Sequence, residues 1–507
     1  MEFQRVSPES VGVRSRAILD MLDQLYRDGI EMHGFMLLRH GKVCAEGTWA
    51  PYRPGVPHTM FSFTKSLTST AIGFAVQEGL LSLEERLIDL FPEKAPREPS
   101  ENLRKATVRH LLMMGCGHDT EVEWIDSEMD WIAQFLHHEF KHEPGTHFLY
   151  NTAGTNLLSA ILTRKTGLTL TQFLQPRLFR PLGMSDVQCY ALPDGTEAGG
   201  FGSWLTLEDM ARFVQFVANK GQWEGRQLLD AAWFEEATRK QIENRGAGWG
   251  GDPDWQQGYC FQFWRCEPDG VFRGDGAFGQ YGIVMTHQDA VLVIQSASCR
   301  LQAVLTAVWE KLLPAMAAAP LPENPADFTE LTYRLAHLEL NPIFGMRNPG
   351  AETSLNGAVY TPVGNAPSLT DLIGGIGRFT PDGNKLLSLT FRFEGDDVAL
   401  QVREDRAEYT LKLGMNGHFV LNDLAGVPYG ACGGWRARNK LEAEVRCTRC
   451  CSGKRFVFTF DGKDLVLTAD STIPEVGGLA DPLTPEVRFT LAQGDVNLKT
   501  KMYWEAT

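Results

Sequence analysis

Apolar residues along this chain follow two rhythms, and the change falls near residue 320. In the N-terminal part, spacing of three to four residues predicts a helix over 62–80, through Leu67, Ala71, Phe74 and Ala75. The same rhythm predicts helices over 108–114, 131–138, 154–165, 169–175, 207–220 and 301–313. A hairpin is predicted over 37–46, turning at His40-Gly41. Aromatic and β-branched runs over 258–265, 279–286 and 290–296, bounded by Gly, Pro and Asp, predict successive antiparallel strands. A Pro- and Ala-rich stretch over 314–327 breaks the pattern and predicts a linker, placed at 319–329. A short helix over 329–338 follows. From about residue 375 the period drops to two, predicting strands over 387–393, 398–403, 409–413, 440–447, 455–460, 465–468, 486–491 and 499–504. Asp382-Gly383, Asn416-Gly417 and Asp461-Gly462 supply turns between them. The expected domains are thus 1–318, mixed helix and strand, and 330–507, an all-β barrel or sandwich.

Composition narrows the function classes. With 507 residues the chain has room for several domains of about 150 residues each. Hydrophobic residues at 43% and charged residues at 22% are ordinary for a globular protein. A net charge of −15 argues against nucleic acid and against an anionic membrane surface, so neither is expected as a partner. The start, Met1 to Arg5, has no basic segment followed by an apolar one. The stretch 304–321 is interrupted by Glu310, Lys311 and prolines, too broken to span a bilayer. Ten cysteines without an export signal read as reduced thiols, and the expected location is cytoplasmic. Cys447-x-x-Cys450-Cys451, with Cys432 upstream, lacks the second spaced pair of a zinc site and reads as strand thiols. His137-His138 and His142 lack the H-E-x-x-H pattern and read as surface or cleft residues. No metal and no cofactor are expected.

The most informative stretch is Phe61-Ser62-Phe63-Thr64-Lys65-Ser66. A Ser and a Lys three apart at a helix start lie on one face, one turn from each other. The helix N-terminus adds backbone N–H groups and the positive dipole end. A serine hydroxyl needs a base to become a nucleophile, and a desolvated lysine beside it can serve. By itself Ser-x-x-Lys also describes a capping serine followed by a surface lysine.

Three further runs change the balance. Thr107 to Met114, followed by Gly115-Cys116-Gly117-His118, resembles the T-x-R-H-L-L-x-M-x-S-G element of serine β-lactamase-like proteins. Pro144 to Ser159, with Tyr150-Asn151-Thr152 inside it, is similar to that family's P-G-x-x-F-x-Y-S-N segment. Gly199-Gly200, running into Thr206-Leu207-Glu208-Asp209, resembles its G-G-x-x-x-x-T-x-x-D helix start. The elements occur in family order over about residues 7–315. The resemblance is to the group of class C β-lactamases, DD-peptidases and family VIII esterases, with 6-aminohexanoate-dimer hydrolases close by. It implies an α+β fold, with a β-lactamase/transpeptidase-like domain (an antiparallel sheet flanked by helices) ahead of the β-rich domain.

The resemblance also implies roles. Ser62 matches the acylated nucleophile, Lys65 its activating lysine and Tyr150 the general base or acid. The N–H groups of Ser62 and Ala277 match the oxyanion hole. Thr152, Gly276, Gln280, Arg273 and His118 are the expected substrate contacts, and Trp204, Trp249, Trp255, Phe278 and Tyr281 could line an acyl pocket. Two positions depart from the family. Thr152 stands where Tyr-x-Asn has its carboxamide, leaving Asn151 or Asn156 to compensate. Arg273-Gly274-Asp275-Gly276-Ala277 stands where Lys-Thr-Gly is expected, and Arg273 could replace the lost cation only if its side chain points into the cleft. The expectation is a serine hydrolase forming an acyl-enzyme on small carboxylic esters or amides. The alternatives are activity on penicillin-like substrates and an inactive binding or sensor protein that kept the fold.

Overall fold

The computed structural model describes residues 2–122, 130–184, 187–247, 251–374, 383–473 and 486–493. The expected strand over 499–504, Asp382 and Trp249 lie outside them. Chain contacts divide it into two units: Met1–Gly47 with Pro57–Ala336, and Thr48–Val56 with His337–Thr507.

In the first unit, α1 (Ser15–Arg27) precedes the hairpin β1 (Met32–Arg39) and β2 (Lys42–Thr48). The hairpin turns where expected, with His40 at φ 52° and Gly41 at φ 70°, the left-handed pair a two-residue turn requires. Then follow α2 (Thr64–Gln77), α3 (Val108–Leu112), α4 (Trp131–His137), α5 (Thr152–Thr166), the short β3 (Ser203–Leu205) and α6 (Leu207–Ala218). Strands β4 (Trp264–Arg265), β5 (Val271–Gly276), β6 (Gln280–Met285) and β7 (Ala290–Ser296) come next, with α7 (Leu301–Ala307) and α8 (Pro325–Ala336) closing the unit. The sheet order is β2-β1-β7-β6-β5-β4. Every residue of β1, β5, β6 and β7 is buried, so both sheet faces are covered. Helix α6 lies over β1, β6 and β7. It presents an apolar stripe of Met210, Phe213, Val214 and Val217 to them.

Two local expectations change. The run 258–265 is not one strand, because Gln262 takes a left-handed φ of 65° and its amide turns to the carbonyls of Leu111 and Leu112. Only Trp264–Arg265 pairs with β5. Nor is 319–329 all linker: α8 begins at Pro325, whose fixed φ suits a helix start.

The second unit holds α9 (Pro349–Leu355), β8 (Val359–Pro362), α10 (Leu369–Gly374), β9 (Leu386–Glu394), β10 (Asp397–Glu404), β11 (Glu408–Gly414), β12 (Val420–Leu424), β13 (Val427–Ala437), β14 (Lys440–Cys447), β15 (Gly453–Asp461), β16 (Asp464–Ser471) and β17 (Glu486–Gln493). The strand order is β11-β10-β9-β8-β17-β16-β15-β14-β13-β12, and a bridge from Gly414 on β11 to Cys432 on β13 closes nine of the strands into a barrel. Period-two alternation puts Leu389, Phe391, Leu400, Leu411, Leu441, Phe456, Phe458 and Leu467 inside. Segment 48–56 joins this unit through Ala50, which exchanges backbone hydrogen bonds with Leu338 and Leu340, and through Tyr52, whose hydroxyl donates to the Cys450 carbonyl at 3.0 Å. Among the described residues, no helix is long and apolar enough to cross a membrane.

Candidate active site

The backbone makes a forced turn immediately before Ser62. Phe61 has φ 46°, a left-handed conformation uncommon for a bulky residue and found where packing over-determines it. Its ring packs edge-on against Phe278, centroids 5.3 Å apart. A single 3₁₀ turn over Phe61–Phe63 then runs into α2. Ser62 is left partly exposed while Phe61, Phe63 and Lys65 are buried.

Lys65, 1% exposed, spends its three donors on close partners. Its Nζ donates to Ser62 Oγ at 3.1 Å, to the Gly200 carbonyl at 2.6 Å and to Thr152 Oγ1 at 3.4 Å. Burial lowers its pKa to about 7, against the pull of Glu121 and Asp275. The carbonyl of Gly200 reaches Lys65 because Gly199 and Gly200 press against α5. A Cβ on Gly200 would fall 2.9 Å from the Thr152 carbonyl oxygen, and one on Gly199 would fall 2.7 Å from that of Thr155. Asn156 Oδ1 accepts from Gly200 N at 2.9 Å and fixes that strand of backbone.

Tyr150 stands on extended chain just ahead of α5. Its ring stacks on Trp264 (5.5 Å, 21°), meets Tyr259 edge-on, and lies 4.8 Å from Lys65 Nζ. Burial pushes the phenol above its ordinary pKa, while a hydrogen bond with Ser62 acts the other way. Ser62, Lys65 and Tyr150 therefore form one hydrogen-bonded group.

The β5–β6 turn forms the opposite wall. Gly276 is needed there, since a Cβ would fall 2.2 Å from the Met60 carbonyl oxygen and 3.2 Å from Phe63 N. Ala277 follows directly. Gln280, fully buried, donates to the carbonyls of Ala277 and Ser296 at 3.1 and 2.7 Å. Ser296 Oγ donates to the carbonyls of Phe278 and Gly279. Gln280 thus holds the turn from behind; it has no exposed surface to offer a substrate.

Arg273 and His118 also depart from their expected place. Arg273 is fully buried, with Nε on Asp275 at 2.8 Å, one terminal nitrogen on the Asp254 carbonyl at 2.9 Å, and its guanidinium over the Trp255 ring at 4.4 Å. Strand alternation explains it: Gly274 and Gly276 face the Phe63–Ser66 segment, so Arg273 faces the other way. His118 is 1% exposed between Phe135 and Phe140 and accepts from Asn151 Nδ2 at 3.2 Å. Burial lowers its pKa to about 3. Asn151 in turn caps α5 through Gly154 N. Asn151 is therefore committed to the helix cap. Thr152 and the Gly200 carbonyl are what hold Lys65. Trp255, Phe278 and Tyr281 are buried, and Trp204 on β3 is partly exposed.

Motif reading misses Glu121, an exposed loop carboxylate that accepts from Thr152 N at 2.7 Å and acts electrostatically on both Lys65 and Tyr150. It also misses Trp264 and Tyr259, the aromatic floor under Tyr150. A lone loop acid has no periodicity to mark it. The cysteines at 432, 447, 450 and 451 are not among the groups that could hold a metal ion within the described residues.

A family model described as Beta-lactamase matches residues 22–300, more than half of the chain. The lovastatin esterase of Penicillium rubens is 26% identical over an alignment of 263 positions that covers 46% of this chain and 53% of that protein. The 6-aminohexanoate-dimer hydrolase of Paenarthrobacter ureafaciens is 25% identical, over 51% of this chain and 71% of its own length. The match thus spans about half of the first relative and under three quarters of the second. Among solved structures, a Bacillus anthracis protein named for 6-aminohexanoate-dimer hydrolysis shares the fold, with a TM-score of 0.50 at 21% identity, over 64% of this chain and 89% of that one. This chain belongs to the beta-lactamase family.

Proposed function

We propose that the protein is a serine hydrolase that forms an acyl-enzyme at Ser62 and cleaves small carboxylic esters or amides. The observation that carries this reading is the buried Lys65 amine nitrogen held 3.1 Å from Ser62 Oγ, with Tyr150 hydrogen-bonded to the same serine. Burial leaves a large share of Lys65 neutral near pH 7, whereas Tyr150 keeps its proton. Lys65 is thus the base and Tyr150 the proton donor. As Ser62 Oγ bonds to the carbonyl carbon, its proton passes to Lys65. Tyr150 gives its proton to the departing alkoxide or amine and is reprotonated from Lys65. Water then attacks the acyl-enzyme by the reverse transfers, releasing the carboxylic acid and Ser62. The N–H groups of Ser62 and Ala277 would stabilise the oxyanion, a contribution of about 3 kcal/mol for one such donor.

β-Lactams are poor candidates. Their carboxylate needs a cation, and Arg273 is tied to Asp275 and Asp254. The charged groups that act on Lys65 are the carboxylates Glu121 and Asp275. The similarity to a lovastatin esterase and a 6-aminohexanoate-dimer hydrolase supports an ester or amide substrate. β-Lactams are disfavoured by the missing cation alone, since a beta-lactamase of Escherichia coli is matched as well. The test is intact-mass analysis after fluorophosphonate treatment. One adduct, mapping to the Ser62 peptide and blocked by Ser62→Ala, is expected; no adduct on active-site-intact protein favours the binding or sensor reading.

A further inference from the structure

Three donors that no role above uses converge near the loop after α3. His142 Nε2 lies 3.0 Å from Asp119 Oδ1, and His147 Nε2 lies 4.0 Å from the same oxygen. The two imidazoles stack with centroids 3.9 Å apart and planes 24° from parallel. All three donor atoms fall within 4.8 Å of one another. Tetrahedral zinc, with bonds of about 2.0–2.2 Å, sets its ligand atoms about 3.3 Å apart. Two of the three separations, 3.0 and 4.0 Å, bracket that value. The stacked rings have nearly parallel planes, so one imidazole must turn about its Cβ–Cγ bond to bring both in-plane lone pairs onto one ion. His147 Nε2 is too far from Asp119 for a hydrogen bond; stacking on His142 places it beside the Asp119–His142 contact, with its own ring nitrogen left available as a third donor.

The backbone holds these donors on two joined segments. His142 N donates to the Gly117 carbonyl at 2.9 Å, Gly145 N to Gly115 at 2.7 Å, and Leu149 N to Met114 at 2.9 Å. Gly117 makes this approach possible, since a Cβ there would fall 2.5 Å from the His142 carbonyl oxygen. Lys141 Nζ takes the other carboxylate oxygen, Asp119 Oδ2, at 2.5 Å, which leaves Oδ1 as a single ligand. The side chains are 30%, 36% and 42% exposed for His142, His147 and Asp119. That exposure gives an ion a way in and a position for a water ligand.

We propose that Asp119, His142 and His147 form a site for one divalent transition-metal ion of the zinc class. Bound there, the ion ties the loop that carries Glu121, two residues beyond Asp119, to the segment that carries Tyr150, three residues beyond His147. Its role is to stiffen one wall of the cleft; it touches no reacting atom.

Equilibrium dialysis of tag-free protein against Zn²⁺ tests this. One equivalent is expected on the wild type, with binding weakened at least tenfold in His142→Ala and in His147→Ala and unchanged in His137→Ala. Co²⁺ as a probe should give the visible absorption of a nitrogen–oxygen tetrahedral site without the intense near-ultraviolet band of thiolate ligation. Circular dichroism on each variant confirms that it is folded. Stoichiometry unchanged in the His142→Ala/His147→Ala double variant, loss in His137→Ala, a thiolate band, or no bound zinc would each overturn the proposal and leave an ion pair only.

Discussion

A lysine ammonium in water holds its proton far above neutrality, but burial brings Lys65 down to about 7. Hydrolysis that needs the neutral amine should therefore rise with pH through an apparent pKa near 7, read from a kcat/KM profile on a p-nitrophenyl ester. Stability should carry the same signature. The folded pKa lies below the unfolded one, so the unfolded chain binds more protons between about pH 7 and 10.5, and the cost of burying Lys65 grows as pH falls through that window. Lys65→Met should then raise the melting temperature more at pH 6 than at pH 10.5, as calorimetry at both values would show. Ser62→Ala should abolish turnover in folded protein. Tyr150→Phe and Lys65→Ala should each lower kcat by about 10²-fold or more. The double variant should lose far less than the product of the two losses, because the groups act as one unit; multiplicative losses would separate them.

At the scale of elements, close backbone approach builds the site as much as side chains do. Gly276 lets the end of β5 meet the Met60–Phe63 turn, and Gly200 lets its carbonyl reach Lys65 past α5. Gly276→Ala must move the strand or the turn, because the Cβ would meet a backbone oxygen at 2.2 Å. Overpacking of this kind costs roughly 1–3 kcal/mol. The expected outcome is a folded protein with a lower melting temperature and a kcat reduced at least tenfold; unchanged kcat would remove the β5 end from the oxyanion role. The Ser-x-x-Lys pair, Tyr150 and the glycines are legible in sequence because each sits in a short run with a fixed chemical reason. The orientation of Arg273 is not, because one residue of strand register decides which face a side chain takes.

For the whole molecule, segment 48–56 belongs with the barrel unit, although it precedes Ser62 by a few residues in the chain. A fragment limited to 337–507 loses the Ala50 bonds to Leu338 and Leu340 and the Tyr52 bond to Cys450. At roughly 1 kcal/mol each, their loss should make the fragment clearly less stable than the same barrel with 48–56 restored as a linked strand, by urea titration. Substrate choice also belongs to this scale. With Arg273 ion-paired to Asp275 in the interior, kcat/KM for p-nitrophenyl butyrate should exceed that for nitrocefin by about one to two decades, the worth of a missing charge-assisted contact. A preference for nitrocefin would point to another cation.

By itself the sequence determined the family, the α+β order followed by strands of period two, and the residues whose chemistry depends on near neighbours in the chain. Ser62 and Lys65 are one helical turn apart, and short-range geometry brings them together whatever the rest of the fold does. Only the tertiary structure decided which of the remaining expectations face the cleft. His118 and Arg273 carry the right chemistry for substrate contacts, yet both are enclosed by residues distant in the chain. Glu121, Trp264 and the Gly200 carbonyl enter the site the same way. Burial and proximity of this kind come from long-range packing, and they set both the proton affinity of Lys65 and the loss of a free cation at Arg273.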